Sequence, residues 1–135
     1  MKKLIAIAMM LVLAGCGEKE PDSRTVVAPA VRICATDETH DQPHTYEAVR
    51  DLAMKGNYQA QRNLAFGYAG GMPYKGQDEN TILGCAWYKY IMLSGSEKVN
   101  TTDTGNVQVY CGRLSAQEQA AAEGQTQALI GKLCR

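Results

Sequence analysis

From Tyr46 to Leu133 the apolar residues recur at spacings of three and four and nowhere alternate over a useful length, which restricts this stretch to helices. Tyr46, Val49, Leu52 and Ala53 share one helical face, and Gly56 can end that helix. Ala60, Leu64, Ala65 and Tyr68 form the stripe of a second helix predicted over 57–69 and stopped by Gly70-Gly71. A third is predicted over 80–94, with Asp78 or Asn80 as its cap and Gly95 at its close. It is apolar nearly all round, with Ile82, Leu83, Ala86, Trp87, Tyr90, Ile91 and Leu93, so it should be the most buried. After a polar loop over 95–103, a short fourth helix starting near Asp103 carries Val107, Tyr110, Cys111 and Leu114 on one face. Ser115-Ala116-Gln117-Glu118 reads as a capping box that opens a fifth helix ending near Cys134. Its stripe is Ala122, Thr126, Leu129, Ile130 and Leu133. The expected fold class is all-α: antiparallel hairpins with about five helices, over a domain at 43–135. Only the weakly apolar stretch 25–33 could lie extended.

The start of the chain is organised differently. Met1-Lys2-Lys3 is positive, and Leu4 to Leu13 is an apolar run of ten residues, too short to span a ~30 Å hydrocarbon core. Leu13-Ala14-Gly15-Cys16 comes next. This is the layout of a signal peptide, and its last four residues resemble the lipobox of bacterial lipoproteins. That resemblance implies removal of residues 1–15, a diacylglycerol on the Cys16 thiol and acylation of the new amino group. Two or three acyl chains would anchor the protein stably, where one would not. Gly17, not aspartate, stands after the cysteine. In lipoproteins of two-membrane bacteria this implies the outer membrane, facing the periplasm. Residues 16–42 then read as the lipidated end and a tether, polar from Glu18 to Arg24 and interrupted by Pro29 and Pro43.

Charge limits the partners. The chain has 14 basic and 14 acidic residues; removing Lys2 and Lys3 leaves 12 against 14, a net of about −2. That excludes a basic footprint for nucleic acid and a polybasic membrane patch. The expected partners are the membrane, through the lipid, and an envelope protein.

Five cysteines are present. With Cys16 lipidated, Cys34, Cys85, Cys111 and Cys134 remain, an even set that reads as two disulfides in an oxidising compartment. No two stand two to four residues apart, which argues against a zinc site. Cys85 lies about nine residues before the expected end of the third helix, and Cys111 about eight after the expected start of the fourth. Antiparallel neighbours place such residues at similar height, since each residue rises about 1.5 Å. Cys85–Cys111 with Cys34–Cys134 is therefore favoured, and Cys34–Cys111 with Cys85–Cys134 stays open. Cys111–Cys134 is disfavoured, because a helix of about 18 residues, some 27 Å, separates the pair.

The stretch from Gly56 to Gly95 resembles a Sel1-like repeat, a relative of the tetratricopeptide repeat. The residues that carry the resemblance are Gly56, Ala60 to Leu64, Tyr68 with Gly70 and Gly71, Asp78, Trp87-Tyr88 and Gly95. The Leu114-Ser115 break before a glutamine- and alanine-rich last helix fits the same pattern, whereas Gly84 and Ile91 depart from it. The resemblance implies close packing where Ala60, Ala65, Gly67 and Gly84 meet a neighbour, and it implies an interaction module. Some cysteine-rich relatives bind or cleave β-lactams, but their cysteines are closely paired, unlike Cys85 and Cys111.

No catalytic motif is visible, and no enzyme is expected. His40 and His44 lie among Asp37, Glu38 and Asp41, but Pro43 opposes a helix through both, so a solvated linker is the better reading and no metal is expected. No cofactor is expected beyond the lipid on Cys16. Tyr74, Tyr88 and Tyr90 are the candidate binding surface, because tyrosines favour contact surfaces, though packing in the core or its rim explains them as well. The expected function is that of a membrane-anchored adaptor. The alternative is a small inhibitor or immunity factor that presents Met72 to Gln77 or Glu97 to Thr104 to an enzyme. A hydrolase or β-lactam-binding protein is the third reading.

Overall fold

The computed structural model describes residues 44–133. The expected signal peptide, Cys16, the expected tether, His40 and the expected Cys34–Cys134 pair lie outside the described residues. Among the described residues the fold is all-helical, with five helices and no strand.

Helix α1 (Tyr46–Met54) starts at Thr45, whose side chain accepts from Ala48 N at 3.3 Å. Val49 and Ala53 are its buried residues. Gly56 turns the chain with φ of 94°, a conformation that costs a side chain and not glycine. Helix α2 (Tyr58–Tyr68) is capped by Asn57, which accepts from Ala60 N at 2.9 Å. The buried Gln61 donates Nε2 to Ala53 O at 3.1 Å, a second donor to a carbonyl at the end of α1 that also accepts from Gly56 N at 3.1 Å. Tyr46 and Tyr68 join the same two helices through their hydroxyls at 2.5 Å.

Helix α3 (Thr81–Leu93) is capped by Asn80, not Asp78: Asn80 Oδ1 accepts from Leu83 N at 2.9 Å. It is the central helix, packed against α2, α4 and α5. Seven of its residues are buried, in keeping with its all-round apolar sequence. Gly84 sets its distance from α2, since a Cβ there would meet Ala69 N at 2.8 Å. Gly67 has another role: a Cβ there would strike the side chain of Gln77, so this glycine makes room for a loop residue and not a helix. Gln77 is buried, accepts from Tyr74 N at 3.1 Å and donates to Leu64 O at 3.0 Å. It ties the loop between α2 and α3 to the core.

Helix α4 (Thr101–Asn106) begins slightly before the predicted start, because Asn100 and Asp103 form a reciprocal capping box. It runs on as a π-helical turn over Val107–Cys111. Such a turn inserts one residue into an α-helix and re-aims the side chains beyond it. Here it delivers Cys111 to Cys85, and the two form a disulfide with Cα atoms 5.0 Å apart. Helix α5 (Ala116–Leu133) opens with the capping box: Ser115 N donates to Glu118 Oε2 at 2.8 Å, and Glu118 N donates to Ser115 Oγ at 3.3 Å. Its buried residues are Ala122, Thr126, Leu129 and Leu133. The Thr126 hydroxyl lies 3.2 Å from Ala86 O, which ties α5 to α3.

Candidate functional site

Helices α2 and α4 lie side by side and run the same way, since Tyr58 meets Asp103 at one end and Phe66 meets Tyr110 at the other. Each is antiparallel to α3, which passes beneath them. Between them opens a cleft of about 250 Å³. Helix α2 lines it with Gln59, Arg62, Asn63 and Phe66, spaced so that they share one face. The α4 side supplies Thr102, Asn106 and Tyr110, and Tyr88 of α3 forms the floor.

A buried carboxylate holds the cleft at one end. Asp103 is 0% exposed. Its Oδ2 accepts from the Tyr58 hydroxyl at 2.6 Å and from Asn100 N at 3.0 Å. Its Oδ1 stands 3.1 Å from Arg62 Nε and has no aligned hydrogen bond there, so charge attraction holds that side. Burial of a lone carboxylate would be costly; the guanidinium and two donors compensate it. Arg62 also lies over the Tyr58 ring, 5.6 Å from its centroid, so its head is fixed from two directions. Burial, and then the bond to Asp103, push the Tyr58 hydroxyl up to about 12.

Aromatic rings close the other end. Tyr88 and Tyr110 stack with centroids 5.1 Å apart and planes 11° apart. Phe66 meets Tyr110 edge-on at 6.3 Å, and Arg113 covers the Tyr110 ring at 5.2 Å. Tyr88 is 2% exposed, and burial raises its hydroxyl well above the usual tyrosine range, so it stays a neutral donor.

Of the tyrosines singled out from sequence, Tyr88 floors the cleft, Tyr90 is a core residue at 1% exposure, and Tyr74 is half-buried against the core. The core reading thus fits Tyr88 and Tyr90 better than an open contact surface does. Tyr58, Arg62 and Asp103 were missed by sequence reasoning. The one available signal was Asn100 standing three residues before Asp103, a capping pair inside what reads as a polar loop.

A second groove, of about 360 Å³, lies near Glu79, Arg113 and Glu118. Glu118 is engaged there with Ser115, whose backbone and hydroxyl hold its carboxyl below the usual range. Among the described residues no group of three His, Cys, Asp or Glu side chains converges as metal ligands would, and no helix is long and apolar enough to cross a membrane. Comparison with protein-family models, with curated proteins and with solved structures finds no match.

Proposed function

We propose that this protein is a lipoprotein anchored through Cys16, in the outer membrane facing the periplasm, that works as an adaptor through its Sel1-like helical domain. The observation that carries the adaptor reading is the cleft between α2 and α4. It is open and rimmed by amides and a hydroxyl, and the Arg62–Asp103 pair, 3.1 Å apart, holds one end of it in shape. Such a preformed surface lowers the ordering cost of binding. The lipobox and the even cysteine set support export and anchoring. Crosslinking of the lipidated protein in envelopes, followed by affinity purification, tests this reading. Recovery of membrane-assembly or cell-wall proteins is expected, and recovery of none would overturn it.

A second reading, an inhibitor or immunity factor, draws on one loop. Met72 is 81% exposed, the most open large apolar side chain among the described residues, on a loop that Gln77 secures to the core. The other candidate segment, Glu97 to Thr104, is helical from Thr101 and so projects less. One dominant soluble enzyme in the same purification would favour the inhibitor.

A further inference from the structure

We propose that the cleft between α2 and α4 takes the side-chain carboxylate of an acidic residue, glutamate above all, from an extended segment of a partner protein. The proposal rests on the interaction reading and names the chemistry of the partner.

The floor presents a donor that no described residue uses. Tyr88 is 2% exposed and lines the cleft, yet its hydroxyl makes no hydrogen bond to any described residue. The hydroxyl is not sealed from solvent, so it can donate into the cleft, and a charged acceptor there would make a stronger bond than water does. Beside it stands Arg62, 24% exposed and aimed by Asp103 and Tyr58. None of the residues lining the cleft is acidic. A neutral O–H and a guanidinium side by side call for an acceptor that carries negative charge.

The amount of charge selects the anion. One guanidinium lines the cleft, and Asp103 already compensates part of it. A phosphate, with a charge of about −1.5 to −2, would be left underpaired against the buried aspartate. A carboxylate brings one charge and a planar group. The rims fit a polypeptide: on one side stands Gln59, whose Nε2 donates to Asn63 Oδ1 at 2.8 Å and whose carbonyl oxygen can accept, and on the other Thr102 and Asn106 offer polar groups to a main chain crossing the cleft. The edge of Phe66 beside Tyr110 offers apolar surface to the methylene stem of a glutamate.

The test is an NMR titration of the ¹⁵N-labelled mature chain with its disulfides intact. The probes are a capped alanine–glutamate–alanine tripeptide, its glutamine counterpart and sodium propionate. The glutamate peptide is expected to shift the Arg62 Nε–H and the amides of Thr102 to Asn106 in a saturable way. The glutamine peptide should bind roughly tenfold more weakly or worse, as loss of a charged hydrogen bond requires. Propionate should move the same signals with lower affinity. Tyr88→Phe keeps the ring stack and should weaken the glutamate peptide roughly tenfold; Asn106→Ala, on the rim, should weaken it several-fold and serves if Tyr88→Phe does not fold. Equal binding of the two peptides, or unchanged binding by the variants, overturns the proposal. Propionate as tight as the peptide overturns the protein-segment source and assigns the cleft to free small acids. A cleft silent to all three probes, with envelope partners still recovered, overturns this assignment alone. A responsive cleft with no partner recovered overturns the adaptor reading alone.

Discussion

The Tyr58 hydroxyl donates to the carboxylate of Asp103 at 2.6 Å across 45 residues of sequence, and with Arg62 it fixes the start of α4 against the start of α2. Asp103→Asn removes the counter-charge of Arg62 and weakens the cap of α4 in one step. It should cost about 3 kcal/mol or more, since it leaves a partly buried guanidinium uncompensated. Tyr58→Phe should cost less, about 1.5–3 kcal/mol for one hydrogen bond to a charged group. Urea unfolding measures both, and a larger loss in Tyr58→Phe would contradict the ranking.

The same bond makes stability depend on alkaline pH. The folded Tyr58 hydroxyl is held at about 12, first by burial and then by Asp103, above about 10 in the unfolded chain. Its contribution is therefore full below pH 10 and lost as pH rises through about 12. Burial raises Tyr68 and Tyr88 as well, so they add to the same trend. Spectrophotometric titration should show these three ionising later than in the denatured chain, with Tyr58→Phe removing one of the late steps.

Two glycines in helices should respond in opposite ways to alanine. At Gly84 the new Cβ would press on backbone and side chain of Ala69 at 2.8–2.9 Å, so Gly84→Ala should destabilise by about 1–3 kcal/mol. At Gly124 a Cβ meets nothing within 4 Å, so Gly124→Ala should stabilise by roughly 0.5–1 kcal/mol. Thermal melts of the two variants check the pair.

The helices were legible because their signals are local. Thr45, Asn57, Asn80 and Ser115 cap where a side-chain acceptor precedes an apolar stripe. Cys85–Cys111 was legible because equal distances from a turn place two residues at equal height. The cleft was not legible, because Tyr58, Arg62 and Asp103 meet only once α2 and α4 lie together on α3. The π-helical turn was hidden for a different reason. Val107, Tyr110, Cys111 and Leu114 already fit α-helical spacing, so one inserted residue leaves no trace in the period. The tyrosines show the same limit: period puts Tyr88 and Tyr90 in a helix but cannot say which ring lines a cleft.

Cys85 and Cys111 are both nearly fully buried and join α3 to the end of α4. Replacing both with alanine should cost about 3–4 kcal/mol for a closed loop of 26 residues. Cys85→Ala should lose more stability than Cys134→Ala, because the first staples core helices and the second, paired with Cys34, would hold only the tether. Mass spectrometry of the unreduced mature protein should find Cys16 lipidated at the N-terminus and a peptide linking Cys34 to Cys134. A fragment linking Cys34 to Cys111, or an unmodified N-terminus at another residue, would contradict it. Gly17→Asp should move the protein toward the inner membrane on a density gradient.

If the helical domain binds another protein through the cleft between α2 and α4, a probe on the rim of that cleft must touch the partner. A photo-crosslinking residue at Thr102 supplies the probe in intact envelopes, with the same residue at the exposed Gln127 of α5 as the control. The prediction is a discrete adduct with one envelope protein from position 102, none from position 127, and loss of the adduct when Tyr88→Phe is added. Adducts of equal yield from both positions, or an adduct at 102 that survives Tyr88→Phe unchanged, would contradict binding through the cleft.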